Sequence, residues 1–226
     1  MHFHLPKALH GWREFLGEVG IIVFGVLIAL GAEQFVETLH WRREVDAERR
    51  ALQGEVRYNL GAAIYRMSEQ HCIDSKLSEI STVFERHAAD RPLGLRAPVG
   101  RPMVWIGTTG TWEIAVSGQA LVHMRLDEKL RFSDAFGSYQ AFNVMREKED
   151  EIWRDLSLLD QSRVLNESDW SRLHAAYVEA KSINERMRLI TNYLIKSATV
   201  GERSEMPVLG ADGIENERAF CTPMIE

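Results

Sequence analysis

Apolar residues recur every third or fourth position along three long stretches of this chain, and one short stretch near the start contains little else. Between Glu18 and Glu33 lie fourteen residues with no charged or polar side chain. From Gln34 to about Ala89 there is no proline, and Val45, Leu52, Val56, Leu60, Ile64, Met67, Leu77, Ile80 and Phe84 form a helical stripe. The pattern predicts one long helix that leaves the apolar run directly, with Gly54 or Gly61 as the place for a kink. The segment "DRPLGLRAPVGRP", from Asp90 to Pro102, ends it with prolines and glycines. A second stripe (Phe132, Phe136, Tyr139, Phe142, Met145, Ile152, Trp153, Leu156, Leu159) predicts a helix capped by Asp127. A third (Trp170, Leu173, Tyr177, Ala180, Ile183, Met187, Ile190, Leu194) predicts one capped by Ser168 and closed by Gly201. A short helix over Trp112–Ser117, capped by Thr111 and closed by Gly118, fits between the first and second. No segment alternates as a strand.

The expected fold is therefore all-α: an N-terminal transmembrane helix continuing into a long helix, packed with two further long helices as an antiparallel bundle. The expected organisation is a leader over 1–14, a transmembrane helix over 15–36, a helical bundle over 37–201 and a flexible tail over 202–226.

The apolar run admits three readings. A cleaved signal fits its length, but the preceding leader mixes Glu14 and Glu18 with Lys7 and Arg13, and helix continues past the run without a break. A buried helix of a soluble bundle is the second. The third, a single-pass anchor, fits best. The 22 residues from Phe15 to Val36 span about 33 Å as a helix, against about 30 Å of hydrocarbon. Glu18 and Glu33 then sit about 11 Å either side of the centre, close to water. Trp12 and Trp41 lie just outside the ends, and Arg42 and Arg43 follow, as interfacial anchors do. Gly25, Ala29 and Ala32 share one side and form a candidate packing face for a second membrane helix. Counting Lys and Arg on the two flanks favours a cytoplasmic C-terminal part, but long domains cross membranes regardless of such counts, so the side stays open.

Composition changes little. The net charge of −6 and the absence of a basic block argue against nucleic acid as a partner. Cys72 and Cys221 are too few for a disulfide framework or a zinc site, and whether they pair is open.

Candidate chemistry is sparse. Glu37-Thr38-Leu39-His40 is the single Glu-x-x-His, half of what a di-metal bundle needs. His2, His4 and His10 have the chemistry to chelate an ion, but read better as solvated residues at the interface. "GTTGT", Gly107 to Thr111, opens a helix as phosphate loops do, but lacks their spacing and lysine, and a helix-initiating turn fits better. Glu147, Glu149, Asp150 and Glu151, interleaved with Arg146 and Lys148, read as a solvated face. Asn166-Glu167-Ser168 fits a glycosylation sequon, and better a helix cap. Glu113 and His123 are the polar groups through which an enzyme reading would be tested.

Two stretches carry a resemblance. "HGWREFLGEVGIIVFGVLIALGAEQFVE", His10 to Glu37, and "TWEIAVSGQALVHM", Thr111 to Met124, resemble the N-terminal span signature and central Trp…Ser-Gly…Leu segment of a family of uncharacterised bacterial single-pass membrane proteins. The resemblance implies an uncleaved anchor in the bacterial inner membrane and no reaction, so no catalytic, cofactor or metal residue carries over. The expected role is non-enzymatic: a membrane-anchored interaction or scaffold protein. Its partners would be the lipid bilayer and either a second copy or another membrane protein. A ligand-sensing bundle acting through a separate signalling partner is the alternative.

Overall fold

The computed structural model describes residues 11–197 and 211–226. Helix α1 runs Trp12–Ser68, α2 Gln70–Ala88, α3 Gly110–Ser117, α4 Ala120–His123, α5 Leu126–Leu156, α6 Glu167–Ser197 and α7 Ala211–Cys221, with a 3₁₀ segment at Ser157–Val164 before α6. The only strand-like pairing among the described residues is one antiparallel bridge, Leu95 to Ile225.

The all-α bundle is the one its stripes predict. The expected antiparallel packing holds for α6 but not for α5: α1 and α5 run in the same direction, because the chain returns along α1 before α5 begins, as successive contacts show (Arg49 meets Glu128, Tyr139 meets Val56, and Arg66 meets Glu149). Helix α6 returns antiparallel, placing Trp170 against Phe84 and His87 and Asn184 against Arg66. The core is Leu52, Val56, Ile73, Ile80 and Val83 against Phe136, Phe142, Trp153, Leu156, Leu173, Ala180 and Met187.

The break in the first long helix falls at Glu69, and Gly54 and Gly61 stay inside α1. Ser68 Oγ donates to Tyr65 O at 2.7 Å, a local bond that competes with the helix ladder and loosens it there. The other helix starts shift as well. Thr109 takes the position expected of Thr111 in starting α3. Arg125 precedes α5, with Asp127 in the first turn. Asn166, not Ser168, caps α6 in a reciprocal pair: Asn166 Oδ1 accepts from Asp169 N–H at 3.0 Å and Asp169 Oδ2 from Asn166 N–H at 3.1 Å. The side-chain oxygen of the sequon's Asn166 is thus committed to a cap.

The expected flexible tail is corrected over its last part. Residues 211–226 form α7 and a docked C-terminus, with Phe220 and Met224 buried. Phe220 meets Trp153 edge to face at 5.4 Å, Met224 N–H donates to Glu79 Oε2 at 2.7 Å, and Cys221 is bonded to Cys72. Gly201 and residues 202–210 of that expectation, and the leader residues 1–10 with His2, His4 and His10, lie outside the described residues.

Among the described residues one helix is long and apolar enough to cross a membrane, and its most apolar window is 0% buried. The apolar side chains of the first half of α1 touch no core: Ile21, Phe24 and Leu27 are all more than 60% exposed, whereas Leu52 on the same helix is 0% exposed. Nothing lies within 4 Å of a side chain added at Gly25, and Ala29 and Ala32 are exposed, so the candidate packing face is open. Trp12, Arg42 and Arg43 are exposed, while Trp41 is half-buried.

Candidate functional site

Between α2 and α5 the chain travels back down the length of α1. Lys76 Nζ donates to Pro98 O at 3.4 Å, and the Glu69 carboxylate accepts from Met103 N–H at 3.0 Å. Further down, Asn59 meets Thr108, Glu55 meets Thr111, and Trp41 meets His123. Residues 98–123 are therefore a fourth layer of the bundle. Its first half is an extended strap with neither helix nor sheet to satisfy its peptide groups.

Buried polar side chains of the helices satisfy them instead, as a peptide taken out of water requires. Asn59, 0% exposed, donates from Nδ2 to Thr108 O and accepts from Thr108 N–H at Oδ1, both at 2.7 Å. Asn143 does the same for Gly107, at 2.9 and 2.8 Å. Two amides thus imitate the edge of a sheet. A Cβ on Gly107 would stand 2.7 Å from Asn59 Oδ1, so only glycine lets the strap come this close. Where α3 begins, the Glu55 carboxylate accepts the free N–H groups of Thr111 and Trp112 at 3.2 and 3.1 Å. That is how the "GTTGT" turn is used. The anion at this helix N-terminus is the chain's own carboxylate.

Beneath the strap lies a buried ionic cluster. Arg66 donates from Nε and Nη2 to the two oxygens of Glu149 at 3.1 and 2.7 Å, and from Nη2 to Asn184 Oδ1 at 2.9 Å. Arg146 donates to Glu149 and to Met103 O. Both arginines and Glu149 are 1% exposed and Glu69 is 0% exposed. The expected solvated face is therefore corrected at Arg146 and Glu149. The helix bearing them is covered on that side by the strap, and the two charges neutralise each other there. Trp105 Nε1 and Arg146 Nε, against this cluster, are buried with no hydrogen-bond partner among the described residues, and the Tyr65 hydroxyl lies close to the Glu69 carboxyl.

Burial pushes the Glu69 carboxyl up to about 7, with the Glu149 charge adding to it; the Met103 N–H and the Arg146 and Arg66 charges oppose the rise. Burial also raises the Tyr65 hydroxyl, reinforced by the Glu69 charge, and lowers the Lys76 ammonium. A carboxyl with a raised folded-state pKa binds its proton more tightly folded than unfolded. Its contribution to stability is intact below about 4.5 and is lost as pH rises towards 7. Between pH 5.5 and 8 this group should remove about 2 kcal/mol. Urea unfolding midpoints at the two pH values should show that slope in the wild type and its loss in Glu69→Gln; parallel profiles would refute the assignment.

The polar groups on which an enzyme reading rested lie elsewhere. Glu113 is exposed and accepts from Thr109 Oγ1 at 2.8 Å, and His123 is exposed and stacked on Trp41 at 4.0 Å. Glu37 accepts from Trp41 Nε1 at 3.4 Å. Among the described residues no three His, Cys, Asp or Glu side chains form a group able to hold a metal ion.

The signal for the cluster was present in the register. The core stripe of α5 runs Phe136, Tyr139, Phe142, then Arg146 and Glu149, then Trp153, with steps of three and four throughout. Asn59, Arg66, Glu69 and Lys76 continue the stripe of α1 and α2 in the same way. Charge at a core position was the mark of a covered side. No family model, curated protein or solved structure matches this chain.

Proposed function

We propose that this chain is a single-pass membrane protein whose helical bundle binds another protein, with a second copy of itself the first candidate. On the resemblance of its two signature stretches, the membrane is the bacterial inner membrane. The observation that carries the reading is the division of α1: one continuous helix is exposed on every side over its apolar first half and core-forming from Val45 onward. A helix apolar all round with nothing packed on it suits lipid, and its continuity with the core suits an anchor that is retained. The open face of Gly25, Ala29 and Ala32 supports a partner helix within the bilayer. The aromatic stripe is packed ring on ring, Trp112 stacked on Phe136 at 5.3 Å, which favours an interaction module over a ligand cavity.

The Cys72–Cys221 bond supports an extracytoplasmic bundle, because disulfides persist in oxidising compartments. This opposes the count of flanking Lys and Arg. A folded domain of this length translocates despite such counts, and the bond is the more specific signal.

The test is membrane fractionation followed by cross-linking through cysteines placed at Gly25 and Ala29. The protein should resist alkaline extraction and give a cross-linked dimer from these positions but not from Leu27, on the opposite side of the helix. A protein released by alkali would refute the anchor. Equal cross-linking from all positions, or none, would refute the self-association face.

A further inference from the structure

The strap delivers α4 and the start of α5 to the end of the apolar part of α1. His123 stacks on Trp41, and a groove at this level is lined by Gln34, Glu37, Thr38, Trp41, His123 and Arg125. Trp41 lies five residues past Val36, about 7 Å along the helix, and the headgroup layer outside the hydrocarbon is about 5–8 Å deep. The tip of the bundle thus lies at headgroup depth whenever α1 spans the bilayer. Its side chains are wrong for water: Val122 is 72% and Leu126 68% exposed, and exposed Leu39 lies on the stretch of α1 between the groove residues Glu37 and Trp41. Nearby charge suits phosphate. Glu37 and Asp46 are engaged by Trp41 and Arg49, whereas Arg42 and Arg43 are exposed, make no ion pair among the described residues and outnumber Glu44, the exposed carboxylate beside them.

We infer that the tip formed by α4 and the first turn of α5 is a second, non-spanning membrane contact. Val122 and Leu126 enter the headgroup–acyl boundary, and Arg42 and Arg43 bind anionic lipid phosphates. The occupant of this apolar tip is the bilayer that α1 crosses, so the inference rests on the anchor reading. Its consequence is mechanical: two contacts hold the bundle upright, where a single helix would leave it free to swing.

The test uses the full-length protein, with Cys72 and Cys221 paired, reconstituted in vesicles of phosphatidylethanolamine and phosphatidylglycerol. Single cysteines at Val122, Leu126, Val144, Val178 and Val26 carry an environment-sensitive fluorophore, and nitroxide lipids quench it from shallow or deep positions. Shallow quenching should be at least about twofold stronger at Val122 and Leu126 than at Val144 and Val178, which are equally apolar and exposed but higher on the bundle. Arg42→Glu with Arg43→Glu should reduce it, as should vesicles without the anionic lipid. Val26 separates the two readings. Deep quenching there with none at Val122 overturns this inference alone, and no quenching at Val26 overturns the anchor. Shielding at Val122 that ignores lipid quenchers and disappears on diluting the protein would assign the tip to a second copy, and likewise overturn it.

Discussion

Arg66→Ala should cost about 3–5 kcal/mol of stability, because the buried Glu149 carboxylate loses two charge-assisted hydrogen bonds and keeps Arg146 alone. Four helices and the strap meet at this pair. Arg66 lies on α1, Glu149 on α5 and Asn184 on α6, and the network extends through Gln70 to Asp74 on α2, where Asn184 Nδ2 and Gln70 Nε2 both donate to Asp74 Oδ1 at 2.8 Å. Glu149→Ala should cost as much, since Arg66 and Arg146 would then share the single Glu69 carboxyl. Replacing both partners by apolar residues, Arg66→Met with Glu149→Leu, should cost clearly less than the two single losses combined. It removes one charge of each sign and leaves Arg146 facing Glu69. Chemical unfolding of the two alanine variants and the Met/Leu double variant decides this. Single variants within about 1 kcal/mol of wild type would mean that water reaches the cluster and that it is not the pin of the bundle.

The three long helices could be read from the sequence because their stripes are made of large apolar residues at helical spacing. The strap could not, because what holds it is polar. Asn59 and Asn143 look like ordinary surface amides until the peptide groups of Gly107 and Thr108 are set against them. Prolines and glycines marked the segment after α2 as irregular, but irregularity does not say where a segment lies. Its position came from long-range contacts with no local trace: Glu69 to Met103, Glu55 to Thr111. The C-terminal segment was misread for a related reason. Its few apolar residues are too sparse for periodicity, yet Phe220 and Met224 are buried against residues far away in the chain. At the other end the apolar run was legible as a membrane candidate from length alone. What the fold adds is that among the described residues no part of the bundle packs over it.

Cys72→Ser with Cys221→Ser should cost about 4–5 kcal/mol, and the cause acts largely on the unfolded chain. The bond closes a loop with a sequence separation of 149 residues, and loop entropy at that length corresponds to about 5 kcal/mol. In the folded state it holds the C-terminal segment against α2, where Lys76 Nζ also donates to Thr222 O at 2.7 Å and Met224 O accepts from Arg96 N–H at 2.8 Å. An 11-residue helix is marginal by itself, so its docking depends on these contacts, the buried Phe220 and the bond together. In the double serine variant the residues after about 211 should therefore become protease-sensitive before the bundle unfolds, and the main transition should fall with them. Reductant should reproduce the variant, because Cys221 is exposed and open to exchange. The same thiols report on topology. Protein taken from membranes without reductant should resist alkylation at both cysteines, and a C-terminal alkaline phosphatase fusion should be active. Free thiols in freshly isolated protein, with an inactive fusion, would put the bundle in the reducing compartment. The bond could then contribute nothing in the cell, and the count of Lys and Arg beside the span would decide the side after all.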